Sequence, residues 1–273
     1  MRIIMTAAMT AAVATAGLLL TATRSQAADL PARVATRPAP VAVAAAPAWG
    51  GFYVGLFAGY GWGNAAATAP FDSNTGFFYN FFGAPYTAEV AGFFGGGTVG
   101  YNIQSGAIVY GVEGEAGYLG LKGSAVEPND LPNTNDTVTR FKSALYDAIY
   151  GRLGFASGNA LFYGKGGVAF LDAEASTIDP CVAPPATCGT TTLTMTGSKV
   201  MTGWSAGGGV EWLFGAGWSA KAEYAYFDFG KIATAGPSST PGEFYRQTVE
   251  VTAHTVKLGV NYRFVPAPVI ARY

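Results

Sequence analysis

Over residues 251–264 apolar and polar side chains alternate. Val256, Leu258, Val260, Tyr262 and Phe264 fall on one face of an extended chain, and Thr255, Lys257, Gly259, Asn261 and Arg263 on the other. The same two-residue period recurs upstream and predicts strands over 49–62, 93–103, 108–119, 140–156, 161–171, 201–214 and 218–229. In these segments one face collects the aromatic and aliphatic side chains. The opposite face collects glycine or charge: Glu113 and Glu115, Arg152, Lys165, Glu211, and Lys221 with Glu223. A soluble barrel that turned so many large apolar faces inward would have no room for them. The arrangement that fits is a strand whose oily face meets lipid and whose charged face meets a barrel interior. The pattern therefore predicts an all-β protein, an eight-stranded antiparallel up-and-down transmembrane β-barrel.

The connections agree. Short turns at 104–107, 157–160 and 215–217 alternate with four long polar stretches, as expected when short turns face the periplasm and long loops the exterior. An even strand number then returns both termini to the periplasmic side. Aromatics gather at both ends of the oily faces, with Phe52, Phe155, Phe162, Trp212, Phe214, Trp218, Tyr262 and Phe264 at the turn end and Tyr60, Trp62, Tyr118, Phe170, Trp204 and Tyr226 at the loop end. Asp147 falls on the oily side of its strand, which predicts a position near the outer rim or beside a bulge that resets the alternation.

The ends of the chain read differently. Arg2, an apolar Ala-rich run and Ser25-Gln26-Ala27 form a secretory signal peptide over 1–27. Residues 28–48, rich in Ala, Pro and Val, make an extended periplasmic linker. The barrel occupies 49–264, and 265–273, with Pro266 and Pro268, form a periplasmic tail. The 16 basic residues less Arg2 and Arg24 leave 14 against 17 acidic, a net charge of −3 that disfavours a nucleic-acid partner. Cys181 and Cys188, the two cysteines of an exported chain, suggest a disulfide closing a small loop; a metal site would need further ligands, and the chain has one histidine.

Segments 49–62, Gly151-Arg152-Leu153-Gly154-Phe155, Lys221-Ala222-Glu223-Tyr224 and 256–264, with Ala28-Asp29-Leu30-Pro31 before them, resemble the alphaproteobacterial outer-membrane immunogenic proteins, a porin-like family of surface antigens related in fold to the OmpA barrel. From 49 to 264 the resemblance covers 216 of 273 residues. It implies an integral outer-membrane protein exposed at the surface, without enzymatic chemistry or cofactor, in a family some of whose members are linked to haem binding or envelope integrity. The ending in alternate apolar residues and a Phe also resembles the signal read by the barrel-assembly machinery, although nine residues follow Phe264 here.

Candidate chemistry is sparse. Glu113, Glu115, Arg152, Lys165, Glu211, Lys221, Glu223, Lys257 and Arg263 share the predicted interior, where eight strands leave room only for side chains and buried charges must pair. An ion network that plugs the barrel is favoured over a conducting path. His254, with Thr252 and Glu250 on the outward face, faintly resembles the set on lipid A deacylase barrels, but a Thr stands for the Ser and an interfacial histidine explains it better. The glycines and lysine of 158–167 lack the spacing and the helix of a phosphate loop, and Gly95-Gly96-Gly97 reads as close strand packing. Tyr79, Tyr86 and Tyr245, expected on loops, are the candidates for haem iron. The expected function is a structural and antigenic surface barrel in contact with outer-membrane lipid, with loops open to extracellular contacts and a tail open to the cell wall; a small diffusion porin and a haem receptor are the alternatives.

Overall fold

Ten strands follow one another: β1 (Gly51–Ala67), β2 (Phe71–Asp72), β3 (Tyr86–Ser105), β4 (Ile108–Leu119), β5 (Lys122–Val126), β6 (Val138–Ser157), β7 (Ala160–Asp179), β8 (Leu193–Leu213), β9 (Trp218–Pro237) and β10 (Phe244–Arg263). The computed structural model describes residues 49–68, 71–72, 74, 85–128, 137–179, 192–215, 217–237, 239 and 241–264. The signal peptide, linker, tail, Cys181, Cys188 and Tyr79 lie outside the described residues. Each long strand pairs antiparallel with its neighbours, and β1 pairs with both β10 and β3, which closes the ring. Because β5 continues the stave of β4 and β2 only bridges β10, the ten strands make eight staves.

Closure removes the sheet edges and satisfies the backbone without water, the condition for standing in lipid. The outward side chains match that setting, with Phe93 79%, Leu56 73% and Leu258 70% exposed. From Phe52 to Trp62 about ten residues at about 3.3 Å, tilted by about 40°, span about 25 Å, the height of a lipid-facing band. Rings pair along both margins. Phe52 meets Phe264 at 5.5 Å and Trp218 meets Tyr262 at 5.0 Å at the turn end, while Trp204 meets Tyr226 at 5.4 Å and Tyr60 meets Phe93 at 6.1 Å at the loop end.

The strands run further than their oily faces predict. Much of the expected long loops is ladder, since β3 begins at Tyr86, β7 runs to Asp179, β8 begins at Leu193 and β9 reaches Pro237. Beyond the belt the polarity of the two faces inverts: Ala173 and Ala175 point in and are buried, while Glu174 between them is exposed. A search for outward apolar side chains therefore ends where the lipid ends.

Asp147 is resolved by a bulge. The β6–β7 ladder slips between Ser143 and Tyr146, so the inward set passes from Phe141 and Ser143 to Tyr146 and Ala148. Asp147 stays outward between Ala116 of β4 and Phe170 of β7. A further reset occurs in β9 at Gly230, whose φ of 72° is a left-handed conformation that favours glycine, opposite the slip between Glu250 and Thr252.

Candidate functional site

The nine charged side chains expected inside are all buried. They come from six staves: Glu113 and Glu115 from β4, Arg152 from β6, Lys165 from β7, Glu211 from β8, Lys221 and Glu223 from β9, and Lys257 and Arg263 from β10. Neighbouring pairs follow the ladders, Lys165 lying against Arg152, Lys221 against Glu211 and Lys257 against Glu223. Room for them comes from inward glycines. At Gly100 a Cβ would stand 2.4 Å from the ring of Tyr53, which instead lies across that position.

The Lys165 ammonium is the hub. Its Nζ lies 2.8 Å from Glu113 Oε1, 2.7 Å from Glu115 Oε1 and 2.6 Å from Glu223 Oε1. Lys257 contacts Glu115 and sits 2.9 Å from Glu223 Oε1. Lys221 stands further off, 3.7 Å from Glu113 and 4.0 Å from Glu115 and Glu223. Arg152 pairs with Glu211, stacks on the Tyr163 ring at 3.7 Å and donates to the Tyr53 hydroxyl at 3.1 Å; Tyr53 donates in turn to Glu113 Oε2 at 2.7 Å. Arg263 lies over the Trp49 ring at 4.8 Å, beside the small cluster of Trp49, Val109, Leu161 and Tyr163. Charges so buried are held only by such pairing, because low dielectric makes an unpaired one very costly.

Three carboxylates, Glu113, Glu115 and Glu223, bring oxygens within 4.8 Å of one another. The cation they share is the lysine ammonium, which already touches all three.

Several participants escaped the sequence reading. The hydroxyl of Tyr163 donates to Glu223 Oε2 at 2.8 Å and that of Tyr146 to Glu115 Oε2 at 3.1 Å, while Ser219 and Asn261 donate to Glu211 Oε1 at 2.5 and 2.8 Å. Their inward parity was the available signal. The larger surprise lies toward the loop end, where the interior turns apolar. Phe57, Phe94, Tyr146, Phe227 and Phe229 form a chain of rings with centroids 5.1–5.6 Å apart. Leu119, Leu121, Leu171, Met201, Val249 and Val251 pack with them in the same buried cluster. In the loop-end section Tyr86, Thr139, Thr177 and Gln247 close a buried polar ring, with Tyr86 Oη 2.6 Å from Thr139 Oγ1 and Gln247 Nε2 donating to Tyr86 Oη at 2.9 Å.

The haem candidates correct an expectation. Tyr86 and Tyr245 are buried strand residues rather than loop residues. Burial raises the Tyr86 hydroxyl above its ordinary pKa, away from the phenolate that binds iron. On the outer wall His254 Nδ1 lies 2.7 Å from the Tyr224 hydroxyl, and its ring stacks on Trp62 at 5.9 Å; Glu250 pairs with Lys231 at 3.5 Å. That geometry is an aromatic interface cluster.

A profile of the outer membrane protein beta-barrel domain matches residues 34–264. The chain is 29% identical over 234 residues to the 31 kDa outer-membrane immunogenic protein of Brucella melitensis, covering 82% of this chain and 89% of that one. It is 28% identical over 219 residues to the 22 kDa outer membrane protein of Rhizobium leguminosarum bv. viciae, covering 80% of each. Among solved structures, the outer membrane protein OprG of Pseudomonas aeruginosa superposes with a TM-score of 0.48 at 14% identity, over 79% of this chain and 97% of that one.

Proposed function

Because the chain belongs to the outer membrane protein beta-barrel domain family, we propose that it is a non-enzymatic surface barrel with a closed lumen, whose work is done by its wall and loops. In this reading the short turns and both termini face the periplasm, the long connections are extracellular and antigenic, and the barrel contributes to envelope integrity. The last strand, ending in Tyr262 and Phe264, is what the assembly machinery reads. The observation that carries the closed lumen is the hub at Lys165, where one ammonium draws three carboxylates from two staves to within 2.6–2.8 Å. The aromatic layer beyond it, from Phe57 to Phe229, adds a second barrier without a polar surface for ions.

Planar-bilayer recordings test this. Wild-type protein should leave the bilayer silent, and Lys257→Ala should leave it silent too, because the rings remain. Lys257→Ala combined with Phe94→Ala and Phe227→Ala should open steps of conductance. Steady single-channel currents from the wild type would replace this reading with the diffusion porin.

A further inference from the structure

Just beyond the loop-end girdle the outer wall carries a charged array that neither the interior nor the loops explain. Two rows cross the outward faces of β5, β6 and β7. Ladder partners Ser124, Arg140 and Ser176 make one row, and Lys122, Lys142 and Glu174 make the other, nearer the belt. Together they line a surface hollow of about 450 Å³. Lys122 and Lys142 stand directly opposite each other across the β5–β6 ladder, an unfavourable juxtaposition for like charges. Among the described residues only Lys142 has an acidic partner, Glu174 Oε2 at 3.0 Å, and that pair is half-exposed. Among the described residues no ion pair engages Lys122 or Arg140. Glu89, on β3, lies alongside the array without pairing into it.

Below the array the exposed Phe93, Tyr118 and Leu145 belong to the lipid belt. Two ammoniums, a guanidinium and two hydroxyls thus stand at the height of lipid headgroups. That donor set suits a phosphate: the guanidinium binds it in bidentate fashion, and the ammoniums supply charge. We propose that this array binds the phosphorylated headgroup of an outer-leaflet glycolipid, with a phosphate between Lys122 and Lys142 under Arg140 and the serines at its flanks. The anion then relieves the lysine–lysine repulsion and ties three staves to the leaflet. This rests on the outer-membrane placement above.

The test uses full-length protein folded in detergent micelles, with heat-modifiable migration on gels read first. A chain without the folded band would refute the membrane-barrel reading itself, separately from the site. Folded protein is then titrated with purified bis-phosphorylated lipid A, and retained lipid is counted by native mass spectrometry. The folded variant Lys122→Gln/Arg140→Gln/Lys142→Gln should retain it at least tenfold more weakly, while Lys199→Gln/Lys231→Gln, elsewhere on the wall, should match the wild type. Lipid A stripped of phosphate should bind the wild type as weakly as the phosphorylated form binds the triple variant. If the triple variant does not fold, Arg140→Gln alone should weaken retention severalfold. Undiminished retention in the folded variant tested, equal retention of phosphate-free lipid A, or displacement by equimolar heparin or inorganic phosphate would overturn the proposal, the last by assigning the array to a soluble anion.

Discussion

Replacing Lys165 by methionine keeps an unbranched side chain, one atom shorter, and removes its charge. Glu113, Glu115 and Glu223 would then lose contacts of 2.8, 2.7 and 2.6 Å and keep, besides their tyrosine donors, Lys257, the more distant Lys221 and Arg152 as cations, the last 3.6 Å from Glu113. Breaking a buried ion pair by deleting one partner costs about 3–5 kcal/mol, roughly a hundred- to several-thousand-fold in the folding equilibrium. The control is Lys142→Ala, whose pair with Glu174 lies on the outer wall with side chains 61% and 49% exposed. Such a pair is worth less than about 1 kcal/mol. Urea unfolding in lipid vesicles, followed by tryptophan fluorescence and the heat-modifiable gel band, reads both. The expectation is a large fall in midpoint for Lys165→Met and a small one for Lys142→Ala. Adding Glu113→Gln to Lys165→Met should recover part of the loss, because one stranded charge is removed with its partner. Equal losses at Lys165 and Lys142 would refute the reasoning, since they would mean that water rather than pairing solvates the interior carboxylates.

Gly100→Ala should destabilise by about 1–3 kcal/mol, because the new methyl would meet the Tyr53 ring at 2.4 Å and push its hydroxyl off Glu113; the same unfolding assay reads it. Phe94→Ala should cost about 3–5 kcal/mol by opening a cavity among Phe57, Tyr146 and Phe227, again as a lowered urea midpoint. Haem titrated into folded protein should leave the Soret band where free haem has it, and a saturable shift lost in Tyr86→Phe would reverse that expectation. Deleting 265–273 should leave membrane insertion intact while Phe264→Ala impairs it, as read by extraction of the membrane fraction with urea; the opposite pattern would make Tyr273 the terminal aromatic that matters.

The two-residue period was enough for the staves, for which side chains point inward and for the two aromatic girdles. All three follow from local backbone geometry and from a solvent that is oily outside: Val256 and Leu258 had to face out and Lys257 in, whatever the partners were. Even the misfit at Asp147 was legible as a bulge or a rim position, because parity is a local count. The pairing was not legible. Lys165 meets Glu113 and Glu115 across about fifty residues of chain and Glu223 across about sixty. Which of several inward cations reaches which acid depends on the stagger of the closed ring, a property of all eight staves together. The apolar storey from Phe57 to Phe229 was hidden for a related reason. Once the wall rises above the lipid its outer face becomes polar, and the inward Ala173 and Ala175 look like loop composition until closure places them in a core. Alternation thus determined the direction of each side chain, while closure, shear and the bulge between Ser143 and Tyr146 decided which side chains meet.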